Sequence, residues 1–145
     1  MRHGLSPRPS SGLSWSLFIT PSTLQLHPLL EVLLEPVPDD ERELLRLGLQ
    51  EALVNAVRHG NREDPRKSLR IRRILLDGWF VWQIQDEGPG IPADRRFFCL
   101  PDAPEAPSGR GLFLIRQCFD DIRWSPRGNR VQLDRKSTRL NSSHQ

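Results

Sequence analysis

Glu51 and Asn55 stand four residues apart in Glu51-Ala52-Leu53-Val54-Asn55-Ala56-Val57-Arg58-His59-Gly60-Asn61. In a helix, side chains at that spacing stack on one face, so a carboxylate and an amide oxygen can reach one ligand together or simply share a solvent face. A second group, Asp86-Glu87-Gly88-Pro89-Gly90-Ile91, puts a carboxylate at the end of an apolar run. Burial there is costly unless the carboxylate has a dedicated donor. An adenine amino group is one such donor, with Gly88 and Gly90 letting the backbone turn or a flat ring approach; an ordinary turn after a strand uses the same residues. A third group, Ser108-Gly109-Arg110-Gly111-Leu112, opens an apolar helical pattern. Free N–H groups and the positive end of a helix make such a place an anion site, although a tight turn also accounts for two glycines.

The elements that position these groups follow from periodicity. Trp15 to Thr20 alternates as a short strand, and Thr20-Pro21-Ser22 signals a helix start ahead of the leucines from Leu24 to Leu34, with Pro36-Val37-Pro38 as its stop. A second helix is expected from Asp39 or Asp40, with Asp40 capping and Glu43 in the capping-box position. Its apolar positions Leu45, Leu49, Ala52, Leu53 and Ala56 form a core-facing stripe, and Gly60 is the natural residue just past its end. After a polar loop, 61–67, the runs Ser68 to Leu76 and Trp79 to Asp86 flank Asp77-Gly78, a strong hairpin signal. Residues 87–110 carry loop chemistry with five prolines. A third helix over Gly111 to Phe119 and a hairpin of Asp121 to Ser125 with Arg130 to Leu133 complete the chain. The order implies a two-layer α/β sandwich, with helices on one face of a mixed, largely antiparallel sheet.

A chain of 145 residues with 37% hydrophobic and 27% charged side chains suits one domain with one core. No apolar run reaches the length of a membrane span, since Gln25, His27, Pro28 and Glu31 interrupt the richest one. Residues 1–14 are rich in Ser, Pro and Arg without an apolar segment, and read as a disordered lead-in and not a signal peptide, so the expected compartment is the cytoplasm. Cys99 and Cys118 lack CxxC spacing and read as ordinary thiols. The net charge of +3 invites a nucleic-acid partner. However, residues 134–145, Asp134 to Gln145, look like the in-frame translation of a sequencing adapter. Setting them aside removes Arg135, Lys136 and Arg139 against Asp134, and with them most of the basic character. The native domain is then 15–133, and no direct nucleic-acid or membrane partner is expected.

In this order and spacing, the three glycine- and carboxylate-bearing segments resemble the N, G1 and G2 boxes of the GHKL ATPases, the group that includes gyrase-type, histidine-kinase and anti-sigma-factor kinase domains. The resemblance covers about Trp15 to Leu133. Asn55-Ala56 and His59-Gly60 following Glu51, with Gly109-Arg110-Gly111-Leu112 and a short intervening lid, look most like the bacterial anti-sigma-factor serine kinases, and imply their ATP-binding (Bergerat-type) fold. The resemblance implies that Asn55 ligates Mg²⁺, that Glu51 is the general base toward an attacking hydroxyl, and that Asp86 accepts from the adenine amino group of ATP, with Gly88, Gly90 and Ile91 beside the base. Gly109, Arg110 and Gly111 would hold the phosphates, next to Leu112, and Arg110 would add charge near the γ-phosphate. Residues 92–108 would form a lid. Arg58 and His59 would stand near the phosphates, a place that a helix C-terminus also favours for basic residues. Where some kinase members carry a basic residue ahead of the first glycine, this chain has Pro107 and Ser108.

Three activities fit. The first is a serine/threonine kinase that phosphorylates a STAS-type anti-anti-sigma partner and sequesters a sigma factor. The second is a detached histidine-kinase-like ATPase domain, although no phosphoacceptor helix is evident around His3, His27, His59 or His144. The third is an ATP-gated binding module without turnover. The first is the one the resemblance favours, with homodimerisation common in that group.

Overall fold

The computed structural model of the chain describes residues 2–3, 12–96 and 107–137. The sheet grows from hairpin pairing. Strands β3 (Ser68–Leu76) and β4 (Trp79–Gln85) meet around Asp77-Gly78 with Leu76 opposite Trp79, as the two-residue turn predicts. Strand β2 (Ser14–Pro21) pairs along the whole of β3, from Ser14 opposite Leu75 to Pro21 opposite Ser68. Strand β6 (Arg130–Lys136) joins the other edge of β4, and β5 (Asp121–Trp124) pairs with β6. With β1 (Arg2–His3) beside β2, the order is β1-β2-β3-β4-β6-β5. Every pairing is antiparallel, the limiting case of the largely antiparallel sheet that was expected.

Alternation decides which face is covered. Phe18, Ile71, Trp82 and Leu133 point to one side and are fully buried, whereas Trp15, Ile19 and Leu76 on the other side remain exposed. Helices α1 (His27–Leu33), α2 (Asp39–Asn55) and α3 (Pro107–Cys118) supply the covering layer. The Trp82 indole donates to the Leu33 carbonyl at 3.1 Å, pinning the end of α1 to the centre of the sheet. At Gly48, α3 comes so close that a Cβ would sit 2.6 Å from that of Cys118. Cys118 is a buried free thiol, and Cys99 lies outside the described residues.

Several boundaries differ from expectation, each for a physical reason. Thr20-Pro21 ends a strand instead of starting a helix, because β2 has a partner residue in β3 at each of its eight positions. Helix α1 begins at His27 with Pro28 in its first turn, where the missing N–H costs nothing. Helix α2 has Pro38 as its N-cap and no side-chain cap, so Asp40 does not close a capping box. Asp39, Asp40 and Glu41 instead place negative charge in the first turn, where the helix dipole favours it. At the far end α2 does not stop at a left-handed Gly60: it widens into a π turn, Ala56–Gly60. The positive φ angles fall on Arg62 and Glu63, at 55° and 57°. Helix α3 starts at Pro107 and not Gly111, which puts Gly109 and Gly111 inside its first turns. Arg2–His3 and Ser14 are strand residues within the stretch read as a disordered lead-in. Finally β6 runs past Leu133 to Lys136, into residues set aside as foreign.

Candidate functional site

Between the helical layer and the sheet lies a cleft of about 530 Å³, including its open mouth. Ala52, Asn55, Ala56, His59 and Gly60 reach it from α2 and the π turn, Leu112 and Ile115 from α3. Ile84, Ile122, Trp124 and Val131 form the sheet side, and Asp86, Gly90, Ile91 and Asn129 come from the turns at the strand ends. The walls are therefore apolar, with few polar groups converging at one end, as small-molecule sites usually are. Asn55, His59, Gly90, Ile91 and Leu112 also line an adjoining, more open cavity, where Arg58 and Arg62 add two cationic side chains. An apolar slot leading to a basic mouth, with Asn55 and His59 at the junction, suits a molecule that is uncharged at one end and anionic at the other.

Asp86 is half-buried where β4 ends, and burial pushes its carboxyl above the usual carboxylate range, with the Gly88 N–H and Lys67 acting in the opposite direction. Its position is tightly specified. The Asp86 N–H donates to the Asn129 carbonyl at 2.9 Å, and the Gly88 N–H donates to Asp86 Oδ1 at 2.7 Å. On the other side the π turn presses against it: a Cβ on Gly60 would lie 2.3 Å from the Asp86 carboxyl carbon. Gly60 is thus required for space. Gly88 is packed still more tightly, its missing Cβ falling 2.0 Å from the Gly60 carbonyl oxygen. Gly90, at φ 93°, turns the chain back so that the Ile91 N–H donates to the Gly128 carbonyl at 3.0 Å.

Beneath this loop lies Asn61, wholly buried. Its amide nitrogen donates to Ser22 Oγ at 2.6 Å and to the Ser68 carbonyl at 3.0 Å, while its oxygen accepts the Glu87 N–H at 2.7 Å. Glu87 completes the ring by accepting the Ser68 N–H at 2.6 Å and the Ser68 hydroxyl at 3.1 Å. These bonds hold the Glu87 carboxyl below the usual range.

The structure therefore brings Asn55, His59, Asp86, Gly90, Ile91 and Leu112 to one cleft, with Arg58 at its mouth and Gly88 buried under the loop. Glu51 lines neither cavity. It is half-buried one turn earlier on α2, close enough to Cys118 to push that thiol's pKa up, though burial raises it more. Gly109, Arg110 and Gly111 belong to the first turns of α3. Residues 97–106 of the expected lid lie outside the described residues; at its start, Arg96 is anchored by donating to the Ile91 and Pro126 carbonyls, each at 2.8 Å. Sequence reasoning missed Asn61, Arg62, Ile122, Trp124 and Asn129. The alternation of Ile122 and Trp124 in β5 was a usable signal; Asn61 and Asn129 looked like ordinary loop and turn residues.

The description "Histidine kinase-like ATPase domain" belongs to a family whose profile matches residues 25–135. An anti-sigma F factor of Geobacillus stearothermophilus is 32% identical over 92 residues, covering 61% of this chain and 62% of that protein. The serine-protein kinase RsbW of Bacillus subtilis strain 168 is 30% identical over 93 residues, covering 58% of this chain and 57% of its own. The chain thus spans about 60% of the length of the curated relatives it matches. No helix among the described residues is long and apolar enough to cross a membrane. The matched segment encloses all three helices and every residue lining the cleft, and on that match the chain belongs to the histidine kinase-like ATPase domain family.

Proposed function

We propose that the chain is an ATP-dependent serine/threonine protein kinase of the anti-sigma-factor type, which phosphorylates a STAS-domain partner and controls a sigma factor by partner switching. The observation that carries the reading is the continuity of an apolar slot ending at Asp86 with a mouth bearing Arg58, His59 and Arg62. Adenine enters the slot and gives its amino hydrogen to Asp86, and the phosphates lie toward the mouth and the first turns of α3, whose free N–H groups suit anions. Asn55, at the junction, would supply an amide oxygen to hold a magnesium ion beside the phosphates. That ion contributes charge neutralisation of the phosphates when bound.

Glu51 takes the proton from the acceptor hydroxyl as the new P–O bond forms and the bond to the leaving ADP breaks. Its place outside the cleft and one helical turn from Asn55 suits a base that meets a hydroxyl arriving on another protein. The names of the two relatives, an anti-sigma factor and a serine-protein kinase, favour this reading over a detached histidine-kinase domain. A cytoplasmic homodimer is the expected working form.

The test is transfer of label from γ-labelled Mg-ATP to purified STAS-domain proteins of the same genome, with Glu51→Gln in parallel. Label on a serine or threonine of one partner, lost in Glu51→Gln while ATP still binds, establishes the kinase and its base. ATP binding with no labelled protein replaces this reading with an ATP-gated binding module.

A further inference from the structure

Resting on the reading of Asp86 as the adenine acceptor, we infer that Asn61, which does not itself line the cleft, is the positioning residue that makes the site selective for adenine. The argument starts from the π turn. The Asn61 N–H donates to the carbonyl of Ala56, five residues back, at 2.8 Å. One residue more than an α-helical turn rotates the following side chain by roughly 100° about the helix axis. That rotation directs the Asn61 amide under the 86–88 loop, where it joins the end of α2, the Ser22 hydroxyl after β2, the first residue of β3 and the exit of β4. Every member of the loop is then fixed: Asp86 by Asn129, Glu87 by Asn61 and Ser68, Gly88 by the Asp86 carboxylate.

A buried amide with both donor hydrogens and its oxygen engaged specifies one orientation, because every alternative strands a polar group. Asn61 thereby dictates the plane of the peptide between Asp86 and Glu87, and with it the direction from which the Asp86 carboxylate faces the cleft. Gly60, the residue before Asn61, packs against that carboxylate, so the same turn sets both its support and its limit.

The experiment titrates the full chain, as wild type, Asn61→Asp and Asn61→Ser, with Mg-ATP and with purine riboside triphosphate, which lacks the 6-amino group. Wild type is expected to prefer ATP. The variants should lose at least about tenfold in ATP affinity, the worth of one hydrogen bond to a charged group, while binding the analogue within about twofold of wild type. Equal loss for both nucleotides would reduce Asn61 to a structural residue and overturn the inference alone. Equal binding of both nucleotides by wild type would overturn the adenine reading of Asp86 and the inference with it. Should the Asn61 variants fail to fold, Glu87→Ala removes an exposed member of the same ring. It is expected to narrow the ATP preference in the same direction, and an unchanged preference overturns the inference.

Discussion

Replacing Gly60 with alanine separates recognition from stability. The added Cβ would fall 2.3 Å from both Cγ and Oδ2 of Asp86 and 2.8 Å from Oδ1. Carbon atoms in comfortable contact stand about 3.5–4.0 Å apart, so the carboxylate must retreat by roughly 1 Å or more. It cannot do so freely, because Oδ1 is held by the Gly88 N–H at 2.7 Å and the Asp86 N–H by the Asn129 carbonyl at 2.9 Å. The Gly60 backbone lies in a helical turn without a positive φ, so alanine imposes no backbone strain and lowers the entropy cost of folding by about 0.5–1 kcal/mol. Against a packing penalty of about 1–3 kcal/mol, the net loss of stability is at most about 2.5 kcal/mol. On the proposed reading, adenine recognition by Asp86 has no such offset. Loss of one hydrogen bond to a charged acceptor costs about 1.5–3 kcal/mol, or roughly 10- to 150-fold in ATP affinity. Calorimetric titration with Mg-ATP, alongside thermal unfolding with and without nucleotide, reads both quantities. A folded Gly60→Ala protein that binds ATP within about twofold of wild type would show that the carboxylate pressed against Gly60 does not read the nucleotide.

On the proposed adenine reading, the raised pKa of Asp86 should give ATP binding an acid limb. The ionised form is the acceptor, so affinity should begin to fall at a higher pH than for an ordinary aspartate, and titrations between about pH 4 and 7 should show the limb vanish in Asp86→Asn. In the nucleotide-free chain the sign is opposite: the folded state binds the proton at a pH where the unfolded state does not, so the stability cost of ionised Asp86 is relieved as pH falls through its folded value. Trp82→Phe removes a fully buried donor to the Leu33 carbonyl and should cost about 1–3 kcal/mol in a urea melt. It should leave ATP affinity unchanged, since Trp82 does not line the cleft; a change there would mean that α1 communicates with the site. Asp134 is buried opposite Asp121, and burial raises its carboxyl. Asp134→Thr should therefore raise neutral-pH stability by about 0.2–1 kcal/mol, the range of a cross-strand pair, and a lower melting temperature would contradict this account of the strand.

What was legible beforehand came from signals that are local and repeated. The core stripe of α2, the Asp77-Gly78 hairpin and the glycines around Asp86 each announce themselves over a few residues, and the α/β sandwich follows from their order. The ends of elements were less legible, since a cap or turn residue competes with long-range pairing: Thr20-Pro21-Ser22 carries a helix signal, yet eight positions of pairing with β3 hold Thr20 and Pro21 in the sheet. The reason for Gly60 was likewise inaccessible. Its position at the end of a helix suggested a left-handed cap, whereas the constraint is a carboxylate from a residue 26 positions later. Asn61 was hidden for the same reason, because its three partners, Ser22 just after β2, Ser68 at the start of β3 and Glu87 just after β4, are distant from it in sequence or belong to other elements.

Residues 134–137 show how differently backbone and side chains report on a sequence. Strand pairing is made by main-chain groups, and β6 continues through Asp134, Arg135 and Lys136 opposite Val81, Phe80 and Trp79. The Ser137 N–H then closes on the Gly78 carbonyl at 2.8 Å. A main-chain ladder of this kind accepts almost any residue except proline, so the pairing says little about whether these residues belong. The side chains at 134 and 135 are less comfortably placed than the main chain. Asp134 is a buried carboxylate facing a second one across the strand, with a hydrogen bond from the Gln132 amide at 3.1 Å, and the half-buried Arg135 makes no hydrogen bond through its Nε, which pairs with Glu41 at 3.7 Å. At the other end of the same strand Val131 and Leu133 are seated in the core without such costs. The contrast within a single strand makes Asp134 the position at which an ordinary strand residue should recover the most stability.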